Sequence, residues 1–359
     1  MKGRGRRLAA CLGLAAVALA ACGKKAPPVP PEVRAPQSIS DLTGVVRESA
    51  IEISWTPPDR RVDRTRLRDL ALTRIFRVED GGSGEPRSAM LVDGAINGYA
   101  EIASIHAADP APAVVQGARL VFSDRQGLGY GRRYTYVLLA GDSLGRIGPP
   151  SSRVSVTYVA AAEPPSNLVA APGEREVRLS WQAPARLLDG SPAPGTLTYE
   201  VLRAPSLDAA ALPVARTPQA EPTLTDRDLE NDRTYYYSVR ALRLEGGTTA
   251  YSAESARVAA TPRKMTPPSP PTSLAAIPSE GAVRLSWRAS PESDVAGYVI
   301  YRAIEGGAFE RIGSTRVPAT TFVDRGVTRG TYRYAVTAED TAARPNESRR
   351  SNEVRVSVP

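Results

Sequence analysis

Few side chains in this chain of 359 residues could do chemistry, and their spacing narrows what that chemistry could be. There is one histidine, His106, beside Ala107, Ala108 and Asp109-Pro110. The two cysteines, Cys11 and Cys22, lie in or at the edge of an apolar N-terminal run. One imidazole with no thiol in the body of the chain cannot build a zinc site of the usual kind, nor a cysteine nucleophile with its base. His106 therefore reads as an exposed loop residue. The acids Asp226, Asp228, Glu230 and Asp232 alternate like calcium ligands, but no glycine stands at the sixth position of an EF-hand loop. They read instead as turn-forming carboxylates. Gly81-Gly82-Ser83-Gly84 has neither the lysine nor the following helix pattern of a phosphate loop. No catalytic residue, no cofactor site and no metal site is expected, and the chain reads as not an enzyme. One cluster carries binding chemistry: Arg60, Arg61, Arg64, Arg66, Arg68 and Arg74, interleaved with Asp59, Asp63 and Asp69. Its guanidiniums could grip phosphate, lipopolysaccharide or an acidic partner. The alternating acids point to a self-neutralising solvated loop. Arg64, Arg66 and Arg68 are the candidate partner contacts.

The elements that position such residues begin with the N-terminus. Lys2, Arg4, Arg6 and Arg7 precede an apolar run from Leu8 to Ala21 that ends in small residues. The run is short of the ~20 residues that cross a bilayer, so a cleaved secretory signal is expected rather than a permanent span. Leu19-Ala20-Ala21-Cys22 resembles the lipobox of bacterial lipoproteins. That resemblance implies cleavage before Cys22 and a lipid anchor on its sulfur. Gly23 is not the aspartate that retains lipoproteins in the inner membrane of enteric bacteria, so the expected address is the outer membrane of the cell envelope, facing periplasm or surface. With Cys22 acylated no thiol remains for a disulfide. Loss of residues 1–21, which carry four basic groups, lowers the formal charge from +8 to +4. That is too modest and too dispersed for nucleic acid. Residues 22–37 hold five prolines and little to bury, and read as an extended tether reaching up to ~45 Å.

Beyond the tether the chain repeats. Ile51-Glu52-Ile53-Ser54-Trp55, Val177-Arg178-Leu179-Ser180-Trp181 and Val283-Arg284-Leu285-Ser286-Trp287 each alternate apolar and polar, as half-buried strands do. Leu42, Leu168 and Leu274 each stand 13 residues before the tryptophan. Downstream come Ile75-Phe76-Arg77, Val201-Leu202-Arg203 and Ile300-Tyr301-Arg302, then Asp124, Asp226 and Asp324. Each aspartate precedes an aromatic strand, at Tyr134-Thr135-Tyr136, Tyr235-Tyr236-Tyr237 and Tyr332-Arg333-Tyr334. Short strands without a helical period argue a two-sheet sandwich in each repeat.

These residues resemble fibronectin type III domains, whose core holds a B-strand tryptophan and whose F-strand tyrosine caps the E–F turn. By that resemblance Trp55, Trp181 and Trp287 are core residues, and Tyr134, Tyr235 and Tyr332 are the capping tyrosines, with Leu128, Leu229 and Val327 just upstream. The expected fold is all-β: a tandem array of three fibronectin type III-like, immunoglobulin-like β-sandwiches after a cleaved lipoprotein signal peptide and a Pro-rich tether. The expected divisions are signal 1–21, tether 22–37 with lipidated Cys22, and domains 38–159, 166–260 and 272–359. The proline-rich segments 160–165 and 261–271 read as semi-stiff spacers open to proteolysis. The first repeat is longer between tryptophan and tyrosine than the others, which implies an insertion between Val78 and Gln116. Its apolar stretches Ala89 to Val92 and Tyr99 to Ile105 are expected to form extra edge strands. The functional expectation is a membrane-anchored, non-catalytic module that binds or scaffolds a protein or glycan partner. The alternative is an accessory or spacer for carbohydrate-active or outer-membrane assembly machinery.

Overall fold

The computed structural model describes residues 30–82, 84–217 and 221–359. Cys22, the signal run and the start of the tether lie outside the described residues, as does Ser83. The fold divides into two compact units, the first centred on residues up to Tyr158 and the second on Val159–Pro359.

In the first unit, β1 (Thr43–Arg47), β2 (Ala50–Trp55), β8 (Arg119–Asp124) and β7 (Val114–Gln116) form one sheet in the order β1-β2-β8-β7. The facing sheet runs β10 (Val154–Thr157), β9 (Arg133–Asp142), β3 (Leu70–Asp80), β6 (Ala100–His106). A two-residue-per-side hairpin of β4 (Leu91–Val92) and β5 (Ala95–Ile96) accounts for the rest. The alternation read from the sequence sets the inner face: Ile51, Ile53 and Trp55 are fully buried, with Tyr134, Tyr136 and Leu138.

The second unit holds two sandwiches of the same plan. One has β11 (Ser166–Pro172), β12 (Val177–Gln182) and β15 (Thr223–Asp226) against β14 (Leu212–Arg216), β13 (Thr198–Ala204), β16 (Tyr235–Glu245) and β18 (Val258–Ala260), with β17 (Thr248–Tyr251) also paired to β16. The other has β19 (Thr272–Ser279), β20 (Ala282–Arg288) and β23 (Thr321–Asp324) against β22 (Glu310–Arg316), β21 (Val295–Ile304), β24 (Gly330–Asp340) and β25 (Val354–Val358). A three-stranded sheet facing one of four strands, the last of them split into β17 and β18 in the second sandwich, and antiparallel throughout each sandwich, is the fibronectin type III-like arrangement. In both, the indole of the B-strand tryptophan meets an unforeseen tyrosine edge-on: Trp181 and Tyr199 with ring centroids 5.2 Å apart, Trp287 and Tyr298 at 5.4 Å. Such pairs add roughly 1 kcal/mol beyond area burial. The indole Nε1 of all three tryptophans is buried without a hydrogen-bond partner, so these rings serve packing alone.

Two expectations about flexible segments need correction. The tether does not run to Gln37, because Pro31–Arg34 makes a turn of 3-10 helix and Ala35 and Pro36 are buried in the first unit. The segments 160–165 and 261–271, expected as semi-stiff spacers open to proteolysis, are likewise bonded to the sandwiches beside them. Ala160 and Ala162 belong to the core of the second sandwich, and Leu188 N donates to Ala161 O at 2.8 Å. In the second segment Asp232 N donates to Pro262 O at 2.7 Å and Arg263 N to Gly173 O at 3.0 Å. The Glu174 carboxylate accepts from the backbone of Met265 and Thr266 at 3.3 and 2.9 Å and from the Thr266 hydroxyl at 2.5 Å. From the third sandwich, Asp294 and Asp340 reach Lys264 Nζ at 2.5 and 3.1 Å, and Glu292 accepts from Ser269 N at 2.9 Å. Prolines cannot donate to a ladder, but the residues between them are tied to both neighbours.

Candidate interaction surface

The residues that recur in all three repeats meet in one construction. Arg77 donates to Asp124 at 2.6 Å, Arg203 to Asp226 at 2.8 Å and Arg302 to Asp324 at 3.0 Å. The second tyrosine of each aromatic strand, Tyr136, Tyr237 or Tyr334, donates its hydroxyl to the same aspartate at 2.8 Å. Burial, and then the bonded carboxylate, push all three of these phenols well above their ordinary pKa. The arginine lies over the ring of the first tyrosine, 5.2, 5.4 and 5.6 Å from the centroids of Tyr134, Tyr235 and Tyr332. The hydroxyls of those rings cap the E–F turn: Tyr134 accepts from Gly129 N at 2.8 Å, Tyr235 from Glu230 N and Tyr332 from Thr328 N, both at 3.1 Å. Arginine, aspartate and two tyrosines thus bind the two sheets together at one end, and all are spent on the fold.

The other resources also resolve. His106 is exposed at the end of the edge strand β6. Asp226 belongs to the network above, Glu230 pairs with Arg233 at 3.1 Å, and Asp228 and Asp232 take left-handed turn conformations at φ of 58° and 62°. Among the described residues no group of three or more His, Cys, Asp or Glu side chains could hold a metal ion. Open clefts of about 410 and 510 Å³ lie beside Arg77 and Arg203, at matching places in the first two sandwiches.

The arginine loop is an ordered hairpin. Arg61 N donates to Thr65 O, Arg64 N to Arg61 O and Leu67 N to Asp59 O, each at 2.8 Å. Arg64 sits at the tip with φ of 67°, and Asp63 accepts from Thr65 N at 2.9 Å. Arg60 and Arg66 are bridge partners, so their side chains share a face. Arg61 takes the opposite face. Its guanidinium bonds Asp69, the Arg34 carbonyl and, at 2.9 Å, the buried Asp142. Asp142 also accepts from Arg146 Nε at 2.7 Å and from the backbone of Leu144 and Arg146 at 3.0 Å. Burial alone would raise the Asp142 pKa, but the bonds from Arg61 and Arg146 outweigh it and hold the carboxyl at about 2. The self-neutralising reading therefore holds for Arg61, whose partner Asp69 is one of the interleaved acids, whereas Arg74 is neutralised from outside the loop by Glu101. Arg60, Arg64, Arg66 and Arg68 are exposed, and no ion pair engages them among the described residues.

The third sandwich repeats this device. Asp340 ends β24 as Asp142 ends β9, and accepts from Ala342 N at 3.2 Å and Asn346 N at 2.9 Å. Asp69 and Asp294 each directly precede the C-strand, β3 or β21. A cation sits between the two acids in both cases: Arg61 from a local hairpin, Lys264 from the linker.

The insertion of the first repeat does more than add edges. β6 pairs with β3, as an edge strand should. The β4–β5 hairpin instead covers the sheet face that points away from the main core: Ile96 and Tyr99 pack on Phe76, Val137 and Leu139. Tyr99 donates to Arg87 O at 2.5 Å, and Arg74 to Gly94 O at 2.5 Å, which fastens the cover.

No protein-family model matches the chain. Among curated proteins, exoglucanase B of Cellulomonas fimi is 32% identical over 235 residues, 60% of this chain and 19% of that protein. Endoglucanase B of the same organism is 31% identical over 227 residues, 59% of this chain and 20% of that protein. Amylopullulanase of Thermoanaerobacter thermohydrosulfuricus is 44% identical over 96 residues, 26% of this chain and 6% of that protein. The chain spans a fifth or less of the length of these relatives. Against the crystal structure of the chicken CNTN1 FN1-FN3 domains the TM-score is 0.27 at 17% identity, with 89% of this chain and 99% of that chain covered.

Proposed function

We propose that the chain is a non-catalytic module of the bacterial cell envelope, anchored by a lipid on Cys22 and acting as a scaffold for a protein partner. The observation that carries this reading is the division of labour among side chains. The arginine, aspartate and tyrosines that recur through the repeats are consumed in holding each sandwich together, whereas the hairpin and insertion found in the first repeat present exposed arginines and the edge strand β6. The test is crosslinking and pull-down from envelopes. Recovery of a discrete protein that depends on the first sandwich supports the scaffold, and enrichment of glycan alone overturns it. The anchor has its own test: incorporation of a labelled fatty acid that Cys22→Ala abolishes, with the precursor left unprocessed. An outer-membrane address would show as cofractionation with outer-membrane vesicles.

A second reading, an accessory or spacer to carbohydrate-active or outer-membrane assembly machinery, is favoured by the relatives. The stretch of 96 residues matched to amylopullulanase is about the length of one sandwich, and that of 235 matched to exoglucanase B about two. We infer that the resemblance lies in the repeats rather than in a catalytic part. Retention of the full chain on insoluble cellulose, starch or peptidoglycan would select this reading.

A further inference from the structure

We propose that the arginine hairpin of the first sandwich is a membrane-facing surface whose occupant is the anionic headgroup of lipid. The proposal deepens the lipid-anchor reading and rests on it for its geometry. Asp63 N donates to Val33 O at 2.9 Å, Val62 N to Ala35 O at 3.0 Å and Gln37 N to Arg60 O at 2.9 Å. The chain therefore enters the fold along this hairpin, and the residues that do so leave the tether. Only residues 23–29 separate Cys22 from Pro30. At ~3.1 Å per residue that is a reach of about 25 Å when fully extended, and roughly 16 Å as a flexible coil. A lipid on Cys22 holds the hairpin within a few Debye lengths of the headgroups, each ~8 Å at physiological salt.

The charge fits that position. Residues 59–68 carry five arginines against two aspartates. Arg61 is turned inward to Asp69 and Asp142 and pins the hairpin, so it contributes order rather than free charge. Arg60 and Arg66 share a face, Arg68 is exposed just beyond them, Arg64 stands at the tip, and Arg34 is exposed on the segment alongside. Val62, 37% exposed, adds an apolar contact between them. Guanidiniums match phosphate bidentately, and a juxtamembrane arginine contributes about 1 kcal/mol on an anionic leaflet. An acidic protein could meet the same charges. The nearness of Cys22 selects the headgroup.

A chain starting at residue 22 with Cys22→Ser keeps every contact named above and cannot be acylated, so it separates this surface from the anchor. Its cosedimentation would be measured with vesicles of phosphatidylglycerol in phosphatidylcholine and with phosphatidylcholine alone. Binding to the anionic vesicles only, weakening with salt, is expected. Arg64→Ser, Arg66→Ser and Arg68→Ser together should lower it on the order of 100-fold, three contributions of about 1 kcal/mol each, with unchanged circular dichroism because Arg61 remains. Equal binding by parent and variant, or equal binding to both vesicle types, overturns the proposal. Loss of a crosslinked acidic protein in the triple variant with vesicle binding intact also overturns it, because it assigns the arginines to that protein. Absence of fatty-acid label on Cys22, with vesicle binding as expected, sinks the anchor reading alone.

Discussion

Substituting Asp142 with asparagine keeps the size of the side chain and removes its charge, which tests what holds the hairpin in place. The carboxylate is buried beneath two guanidiniums and two backbone N–H groups. A folded-state value of about 2 against the ordinary 3.8 corresponds, at 1.36 kcal/mol per pH unit, to about 2 kcal/mol of stability at neutral pH. Because the folded value is depressed, that stability is fully present above 3.8, is lost as pH falls toward 2, and is gone below it. Hydrogen exchange in β9 of the full chain at neutral pH should accelerate on the order of 30-fold in Asp142→Asn. The parent should lose protection steeply as acid is added between those two values, and the variant should not. Arg61→Gln on the Asp142→Asn background should cost far less than on the parent, since the two share one interaction. Exchange within about twofold of the parent, together with an unchanged acid dependence, would refute this account of the hairpin.

Tyr334→Phe removes one hydrogen bond to the buried Asp324 and should lower the stability of the third sandwich by about 2 kcal/mol in urea denaturation, while Tyr301→Phe, whose hydroxyl meets the exposed Glu347, should cost less than half of that. Trp287→Ala should cost about 3 to 5 kcal/mol, and Trp287→Phe clearly less, because the indole N–H bonds nothing; equal costs in thermal melts would contradict a packing role. Glu174→Ala frees Met265 and Thr266, so brief proteolysis should cut near 261–266 in the variant and spare the parent, and early cutting of both would show that the clamp does not hold in solution.

The framework of the fold was legible because it is local. Alternation in β12 and β20 marks buried tryptophans whatever surrounds them, and the spacing of the aspartates and tyrosines placed strands E (β8, β15 and β23) and F (β9, β16 and β24). The arginine, aspartate and tyrosine landmarks were visible as a recurrence but not as a network, since nothing in their spacing says that strands C, E and F converge at one end. The sorting of the arginine loop was hidden for a related reason: besides nearby Asp69, Arg61 differs from Arg64 through the Arg34 carbonyl and Asp142, the latter some eighty positions away. The linker read as a semi-stiff but unbonded spacer because prolines dominate its composition, whereas its restraint comes from Glu174 and Asp340, one in each flanking sandwich. The β4–β5 cover could not be foreseen either, because Phe76, Val137 and Leu139 look like ordinary strand residues until their second face is known to be roofed.

Lys264 deserves a mechanical reading. In the first sandwich the cation between the two acids comes from the same domain, but in the third it comes from the chain that arrives from the second, so the third domain completes its own end with a borrowed charge. The ammonium between Asp294 and Asp340 thus adds an ionic part to a joint that also holds neutral hydrogen bonds, from Asn346 to the Lys264 carbonyl and from Ser290 to the Ser269 carbonyl. Partly exposed ion pairs weaken as salt rises. The ionic part of the joint should therefore soften as ionic strength rises, while its neutral hydrogen bonds do not.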